Sequence, residues 1–326
     1  MSELRQDPVS GDWIVTVPLR GKRPHDFGAK KIKRKVSPKS DCRFENLQKS
    51  GNWPPILSHP DDKNWEVVLI PNKFPALTHA TQCPVPMSKG PYIIEDGVGK
   101  HDLIITREHG KNFGNLAPEK AVRVLEILQK RYRELSGDPC LLYTSAFFNW
   151  GPSAGASIYH PHYQVITLPI IPPDIEHSLL GSSRYFKRHR QCVHCDMISY
   201  DRKEKTRIIA ENNLAIATAP FVSRNPYEVR VFPKRHMPSF EKTPIYDLRA
   251  VSRLLQAVIK RIASRLGDPD FNFFIHTAPL KNKKKYIHYH WHIEIFPKIS
   301  IPAGFELSTG VDINVVPPEV TAEILR

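Results

Sequence analysis

Two short patterns in the 326-residue sequence carry most of its chemistry. The first is His160-Pro161-His162-Tyr163-Gln164. On an extended strand, residues two apart share a face, so His160, His162 and Gln164 point one way. A neutral imidazole at His162 can attack an electrophile while a hydrogen bond to its other nitrogen fixes the tautomer. Gln164 can donate to the oxygen that gains charge at the attacked atom. Just upstream, the stretch from Asn149 to Ser157 is rich in small residues, Gly151 and Gly155 among them. Such a loop can bring backbone N–H groups to a phosphate. A His-x-His alone is equally a ligand pair or two satisfied core histidines. The loop before it and the glutamine after it favour catalysis.

The second pattern is Cys192-Val193-His194-Cys195. Thiolates and imidazoles are the usual zinc ligands, and structural sites close at four. Cys192, Cys195, His236 and one of His288, His290 and His292 make such a set, with His290 the expected fourth. Cys-x-x-Cys alone could be a redox pair; the distant histidines favour zinc. Cys42, Glu45, His109 and His160 form a counterpart nearer the N-terminus, with glutamate as an oxygen ligand. Two zinc sites are therefore expected. With His160 tied to a metal, His162 is held beside it without being consumed.

These residues must be positioned by elements, and the elements recur. Residues 117–135 carry apolar positions at helical spacing, with Pro118 early and Gly137 as a stop. Residues 245–266 form a second helix of this kind. Each helix leads to Gly-Asp-Pro, an apolar run and a His-x-His, and 23 positions separate the glycine from the first histidine both times. A histidine just past an apolar strand precedes each helix (His109, His236), and a Cys-x-x-Glu or Cys-x-x-Cys opens each unit. The order predicts two copies of one unit, residues 1–172 and 190–326. The second copy has Glu294 where the first has Gln164, and it lacks the small-residue loop. One copy reads as catalytic and the other as structural.

The length fits about two domains, and 40% apolar with 25% charged residues is globular. No apolar run reaches the roughly 18 residues of a membrane span, and the N-terminus lacks a signal-peptide core. A cytoplasmic protein with no membrane partner is expected. Of five cysteines, three read as ligands, and Cys83 and Cys140 read as merely buried rather than bridged. The net charge of +14 is local. Residues 20–39, 184–190 and 281–285 together hold +16, so the remainder nets about −2. Basic runs suit phosphate-bearing partners, and a solvated loop is the plain alternative for each. A zinc-stapled nucleic-acid-binding module would use these runs, but it has no need of His162, Gln164 or the small-residue loop. Nucleic acid is not the expected partner.

The sequence resembles galactose-1-phosphate uridylyltransferase and its relatives in the histidine-triad superfamily, almost end to end. The resemblance is carried by Arg5-Gln6-Asp7-Pro8, Gly11-Asp12-Trp13, Arg20-Gly21-Lys22-Arg23-Pro24 and Asn72-Lys73-Phe74-Pro75-Ala76-Leu77. It continues in Asn149-x-Gly151…Gly155-x-Ser157-x-x-His160-Pro161-His162-x-Gln164 and ends in Gly304-Phe305-Glu306. It implies an α+β fold of two histidine-triad-like halves, each an antiparallel sheet with helices. It also implies a ping-pong reaction, in which His162 takes UMP from UDP-glucose and passes it to galactose 1-phosphate. Arg20, Arg23, Asn72, Asn149, Gly155 and Ser157 would bind the nucleotide sugar. Phe305 and Glu306 would contact sugar, in the family across a homodimer. Two departures matter: Glu45 stands where the family commonly has a second cysteine, and Lys73 replaces an acidic residue found in many uridylyltransferases. The ending is also similar to plant-type ADP-glucose phosphorylases, so phosphorolysis of a nucleotide sugar is the alternative.

Overall fold

A computed structural model describes residues 2–18, 36–80 and 82–326. Arg20 and Arg23 lie outside the described residues.

In chain order the strands are β1 (Glu3–Gln6), β2 (Trp13–Thr16), β3 (Leu57–His59), β4 (Val67–Pro71), β5 (Met87–Lys89), β6 (Tyr92–Ile94), β7 (Lys100–Thr106) and β8 (Tyr143–Trp150). They continue as β9 (His162–Leu168), β10 (Ile208–Glu211), β11 (Ala215–Thr218), β12 (Val229–Pro233), β13 (Phe271–His276), β14 (His292–Pro297) and β15 (Ile313–Asn314). Ten of them form one sheet in the order β10-β11-β12-β14-β13-β8-β9-β7-β4-β3. Its ladders are all antiparallel. Five strands come from before residue 172 and five from after residue 190. The seam is the β8–β13 ladder, where Phe273 faces Phe148 and Phe271 faces Trp150.

The helices are α1 (Leu47–Ser50), α2 (Pro118–Leu135), α3 (Pro173–His189), α4 (Val193–Glu204), α5 (Ile245–Leu266), α6 (Gly304–Thr309) and α7 (Pro318–Leu325). The two long helices read from apolar spacing are α2 and α5. Pro118 sits in the first turn of α2, where its missing N–H costs nothing. Gly267 ends α5 in the left-handed region at φ 77°. Both helices present apolar faces to the same side of the sheet, and one core joins them to both halves of it. Gln129 of α2 and Gln256 of α5 donate to backbone carbonyls of the opposite half, at Phe240 and Thr243 and at Phe113 and Leu116. No described helix is long and apolar enough to cross a membrane.

Strand alternation divides functions between the two faces. Tyr163 and Val165 of β9, Ile104 of β7, and Ile293 and Ile295 of β14 enter the helix-side core. The intervening residues of β9 and β7, namely His162, Gln164, His101, Leu103 and Ile105, face the other way. There, a smaller apolar cluster of Phe44, Leu47, Trp65, Val68, Ile70, Leu103 and Ile105 supports the segment from Cys42 to Ser50.

One expectation is overturned. Cys83 and Cys140 are not buried thiols; they form a disulfide with Cα atoms 5.0 Å apart. The turn after α2 places Cys140 beside the segment leading to β5, and the bond ties that excursion to the body. Cys42, Cys192 and Cys195 are free.

Candidate active site and metal centres

His160 lies in the bend just before β9, and His162 opens the strand. The His162 side chain is nearly buried. Its Nδ1 lies 3.0 Å from the His160 carbonyl. A carbonyl only accepts, so Nδ1 carries the proton and Nε2 keeps its lone pair. Burial also holds this imidazole below the ordinary histidine range, which favours the neutral form. Phe44 packs edge-on, 5.3 Å between ring centres. A cavity of about 960 Å³ opens over His162 and Gln164, and its wall includes Arg43, Asn72, Lys73, Gly155 and Ser157. A buried imidazole with an available lone pair, a neighbouring amide and nearby cations can serve transfer at phosphorus.

The small-residue loop differs in part from expectation. Gly151 and Gly155 do adopt positive φ, 85° and 83°. However, the N–H groups of Ala154, Gly155 and Ala156 bond to carbonyls of Gly151 and Pro152 within the loop, and Ser153 N–H donates to Asp270. Those donors are spent on the loop's own shape. What reaches the His162 cavity is the loop surface at Gly155 and Ser157. Asn149 lines the adjoining cavity of about 590 Å³ that also touches Cys42, His109 and His160. There its Oδ1 accepts from Asn272 at 2.8 Å.

Both expected ligand sets are assembled. Cys192, Cys195, His236 and His290 bring their ligand atoms within 4.8 Å of one another, as do Cys42, His109 and His160. His290, and not His288 or His292, completes the C-terminal set. Glu45 Oε1 joins the N-terminal set, 3.0 Å from His109 Nδ1 and 3.6 Å from His160 Nδ1. The histidines are arranged as ligands need to be. His290 Nε2 meets the Pro233 carbonyl at 3.0 Å and His236 Nε2 the Ile287 carbonyl at 2.8 Å. In the first set, His160 Nε2 meets Thr106 O at 2.6 Å and His109 Nε2 meets Ser37 O at 2.7 Å. In all four, Nε2–H donates to backbone and the Nδ1 lone pair faces the sulfur or carboxylate, which is the outer-shell pattern of metal-bound histidine. The hydrogen bond between Cys192 and Cys195 draws the Cys192 thiol down and pushes Cys195 up, so one thiolate is already favoured. These residues fit zinc. A bound ion would neutralise the thiolates and fasten the loop at Cys42 or helix α4 to the sheet.

In the C-terminal half, His292 repeats the His162 geometry, with Nδ1 3.1 Å from the His290 carbonyl. Its Nε2 instead meets Glu294 Oε1 at 3.2 Å. Glu294 is itself paired with Arg230 at 2.8 Å. At His292 a carboxylate thus engages the ring nitrogen that has no described partner at His162.

Phe305 and Glu306 stand apart, on the exposed helix α6. Glu306 accepts from the Ala303 N–H at 2.9 Å, and neither residue lines the cavities around His162. Sequence reasoning missed Arg43, Phe44 and His101. Arg43 and Phe44 fall inside Cys42-x-x-Glu45, a spacing that drew attention only to its ends. His101 carries no motif at all.

Burial acts on His276 as it does on His162, and pushes it down to about 4. The unfolded chain takes up protons near pH 6.5, but these folded groups resist them until lower pH. Their contribution to stability is therefore full above about 6.5 and is lost as pH drops towards 4. Thermal unfolding should show a lower midpoint at pH 5 than at pH 7.5; equal midpoints would remove this account.

A buried neutral histidine beside a cavity of about 960 Å³, on an antiparallel sheet that carries two ligand clusters, places the chain among proteins of the nucleotidyltransferase type. Residues 1–172 match the model of the galactose-1-phosphate uridyl transferase N-terminal domain, and residues 96–326 match a domain of unknown function (DUF4921). ADP-glucose phosphorylase of Arabidopsis thaliana is 34% identical over 331 residues, 99% of this chain and 92% of the relative. Galactose-1-phosphate uridylyltransferase of Thermotoga maritima is 26% identical, covering 100% of this chain and 98% of the relative. A crystal structure of an ADP-glucose phosphorylase from Arabidopsis thaliana with bound ADP-glucose superposes with TM-score 0.86 at 32% identity, covering 100% of this chain and 99% of the other. The chain belongs to the galactose-1-phosphate uridyl transferase family.

Proposed function

We propose that the protein transfers a nucleotidyl group from a nucleoside-diphosphate sugar to a phosphate-bearing acceptor through a covalent His162 adduct. The observation that carries this is the His162 imidazole itself: Nδ1 is pinned to a carbonyl, no described residue bonds to Nε2, and the residue lines the cavity beside Gln164. Nε2 forms a bond to the α-phosphorus as the bond from that phosphorus to the bridging oxygen breaks. Sugar 1-phosphate leaves with that oxygen. A phosphate oxygen of the acceptor then attacks the same phosphorus, and the His162 bond breaks. Gln164 donates to the oxygens on phosphorus as charge shifts onto them, and Arg43 contributes positive charge from the cavity wall.

Two donor–acceptor pairs fit this chemistry. Phosphorolysis of ADP-glucose is supported by the 34% identity to a plant ADP-glucose phosphorylase over 99% of the chain, and by Lys73 at the cavity wall. Uridylyl transfer to galactose 1-phosphate is supported by the N-terminal domain match and the more distant uridylyltransferases. We favour the first. Exposed Phe305 and half-buried Glu306 fit a homodimer in which α6 serves the site of a second copy.

One experiment tests both levels. Wild-type protein is incubated with UDP-glucose or ADP-glucose labelled at the α-phosphate, and an acid-labile protein adduct is trapped. Labelling from ADP-glucose, discharged by inorganic phosphate to labelled ADP, is the expected result. Labelling from UDP-glucose, discharged only by galactose 1-phosphate, establishes the second pair instead. No adduct from either donor rules out the covalent mechanism.

A further inference from the structure

His101 sits one strand away from the nucleophile and touches the site only through other residues. In the β7–β9 ladder, Leu103 is opposite Gln164 and His101 is opposite Ile166. His101 and Gln164 are thus diagonal neighbours on the face that carries His162. The His101 ring is engaged at both nitrogens. The Ala76 N–H donates to Nδ1 at 3.1 Å, so Nδ1 holds a lone pair and the proton of the neutral ring is on Nε2. Nε2 lies 3.1 Å from Gln164 Oε1, so Nε2–H donates to the amide oxygen.

A glutamine amide has one accepting end and one donating end. With Oε1 held by His101, the Nε2 hydrogens are the end left to the cavity, and no described residue bonds to them. The same residue anchors the cavity wall. Asn72 N–H donates to the His101 carbonyl at 2.8 Å. The Asn72 amide nitrogen rests against the ring, 3.1 Å from Nε2 and 3.4 Å from Nδ1. Asn72 Oδ1 in turn accepts from the Phe74 N–H.

We propose that His101 is a positioning residue for nucleotidyl transfer, locking Gln164 with its NH₂ towards the phosphorus that His162 attacks and holding the Asn72–Ala76 loop in place. The inference rests on the proposed His162 chemistry. Freed from His101, the Gln164 amide can turn and offer its oxygen to phosphate oxygens, replacing attraction with repulsion. A donor aimed at charge that grows during reaction affects the chemical step more than binding. The Gln164 role therefore belongs to the rate at saturating donor, and the loop role to the donor KM.

The test is single-turnover adduct formation from labelled ADP-glucose and UDP-glucose by wild type, His101→Ala, Gln164→Ala, the double variant, His101→Gln and His101→Asn. His101→Ala is expected to slow the step by about ten- to a hundredfold, in line with lost orientation of a donor. The double variant should be no slower than Gln164→Ala, because one effect runs through the other. His101→Gln reaches the Nε2 position and should restore most of the rate. His101→Asn reaches only the Nδ1 position and should recover KM but not rate. A folded His101→Ala protein at wild-type rate overturns the proposal, as do losses that multiply in the double variant or rescue by asparagine alone. If alanine does not fold, the glutamine–asparagine comparison still decides. Absence of any adduct in wild type is a different failure, that of the parent chemistry.

Discussion

Replacing His162 by alanine is expected to abolish the covalent adduct and to lower turnover by at least about 10⁴-fold, the scale seen when a nucleophile is removed. The described neighbours are not placed to take over. Gln164 is not nucleophilic, and His160 turns Nδ1 to Cys42 at 3.5 Å and Nε2 to the Thr106 carbonyl. The fold should survive, because His162 makes one hydrogen bond to backbone, worth about 1 kcal/mol. The informative partner is His292→Ala. His292 copies the backbone bond of His162, but its Nε2 faces Glu294, whereas no described residue bonds to Nε2 of His162. Adduct yield should persist in His292→Ala and vanish in His162→Ala. Wild-type labelling of the His162 variant, or label mapped to His292, would falsify the assignment.

Why the chain announces so much of this site is physical. Metal ligands and a strand-borne nucleophile need fixed residue types at short spacing, so Cys192-x-x-Cys195 and His160-x-His162-x-Gln164 stand out without any fold. Helices α2 and α5 show equally well, because amphipathic spacing is local. The β8–β13 seam does not, since pairing Phe148 with Phe273 across more than a hundred residues leaves no local trace. For the same reason the odd cysteine count misled: three ligands leave a pair, and only the turn after α2 brings Cys140 to Cys83. His101 is the sharpest case. A lone histidine at the start of an apolar run carries no pattern, and its value comes from which residue the neighbouring strand puts diagonally across. The residues proposed to touch the reacting atoms thus lie in local patterns, and the residue proposed to aim them does not.

The two ligand clusters should separate stability from catalysis. Cys192→Ser is expected to remove one equivalent of zinc by elemental analysis, leave the other, and lower unfolding free energy by several kcal/mol. The size follows from what the cluster joins: the start of α4, the end of β12 and the approach to β14, across residues 192 to 290. Without an ion, two thiols and two imidazole lone pairs are left facing one another, partly buried, with Cys195 3.4 Å from His236 and 3.5 Å from His290. The loss is less than total because the shared core of α2, α5 and both halves of the sheet does not depend on it. Cys42→Ser should remove the other equivalent and also slow adduct formation. The His160 carbonyl is what holds the His162 Nδ1 proton, so freeing His160 from its cluster loosens the nucleophile. Both variants therefore lower the unfolding midpoint, but only Cys42→Ser lowers the single-turnover rate. Loss of both equivalents from either substitution would show one coupled centre, and an unchanged metal content in Cys192→Ser would show that the C-terminal cluster holds no zinc.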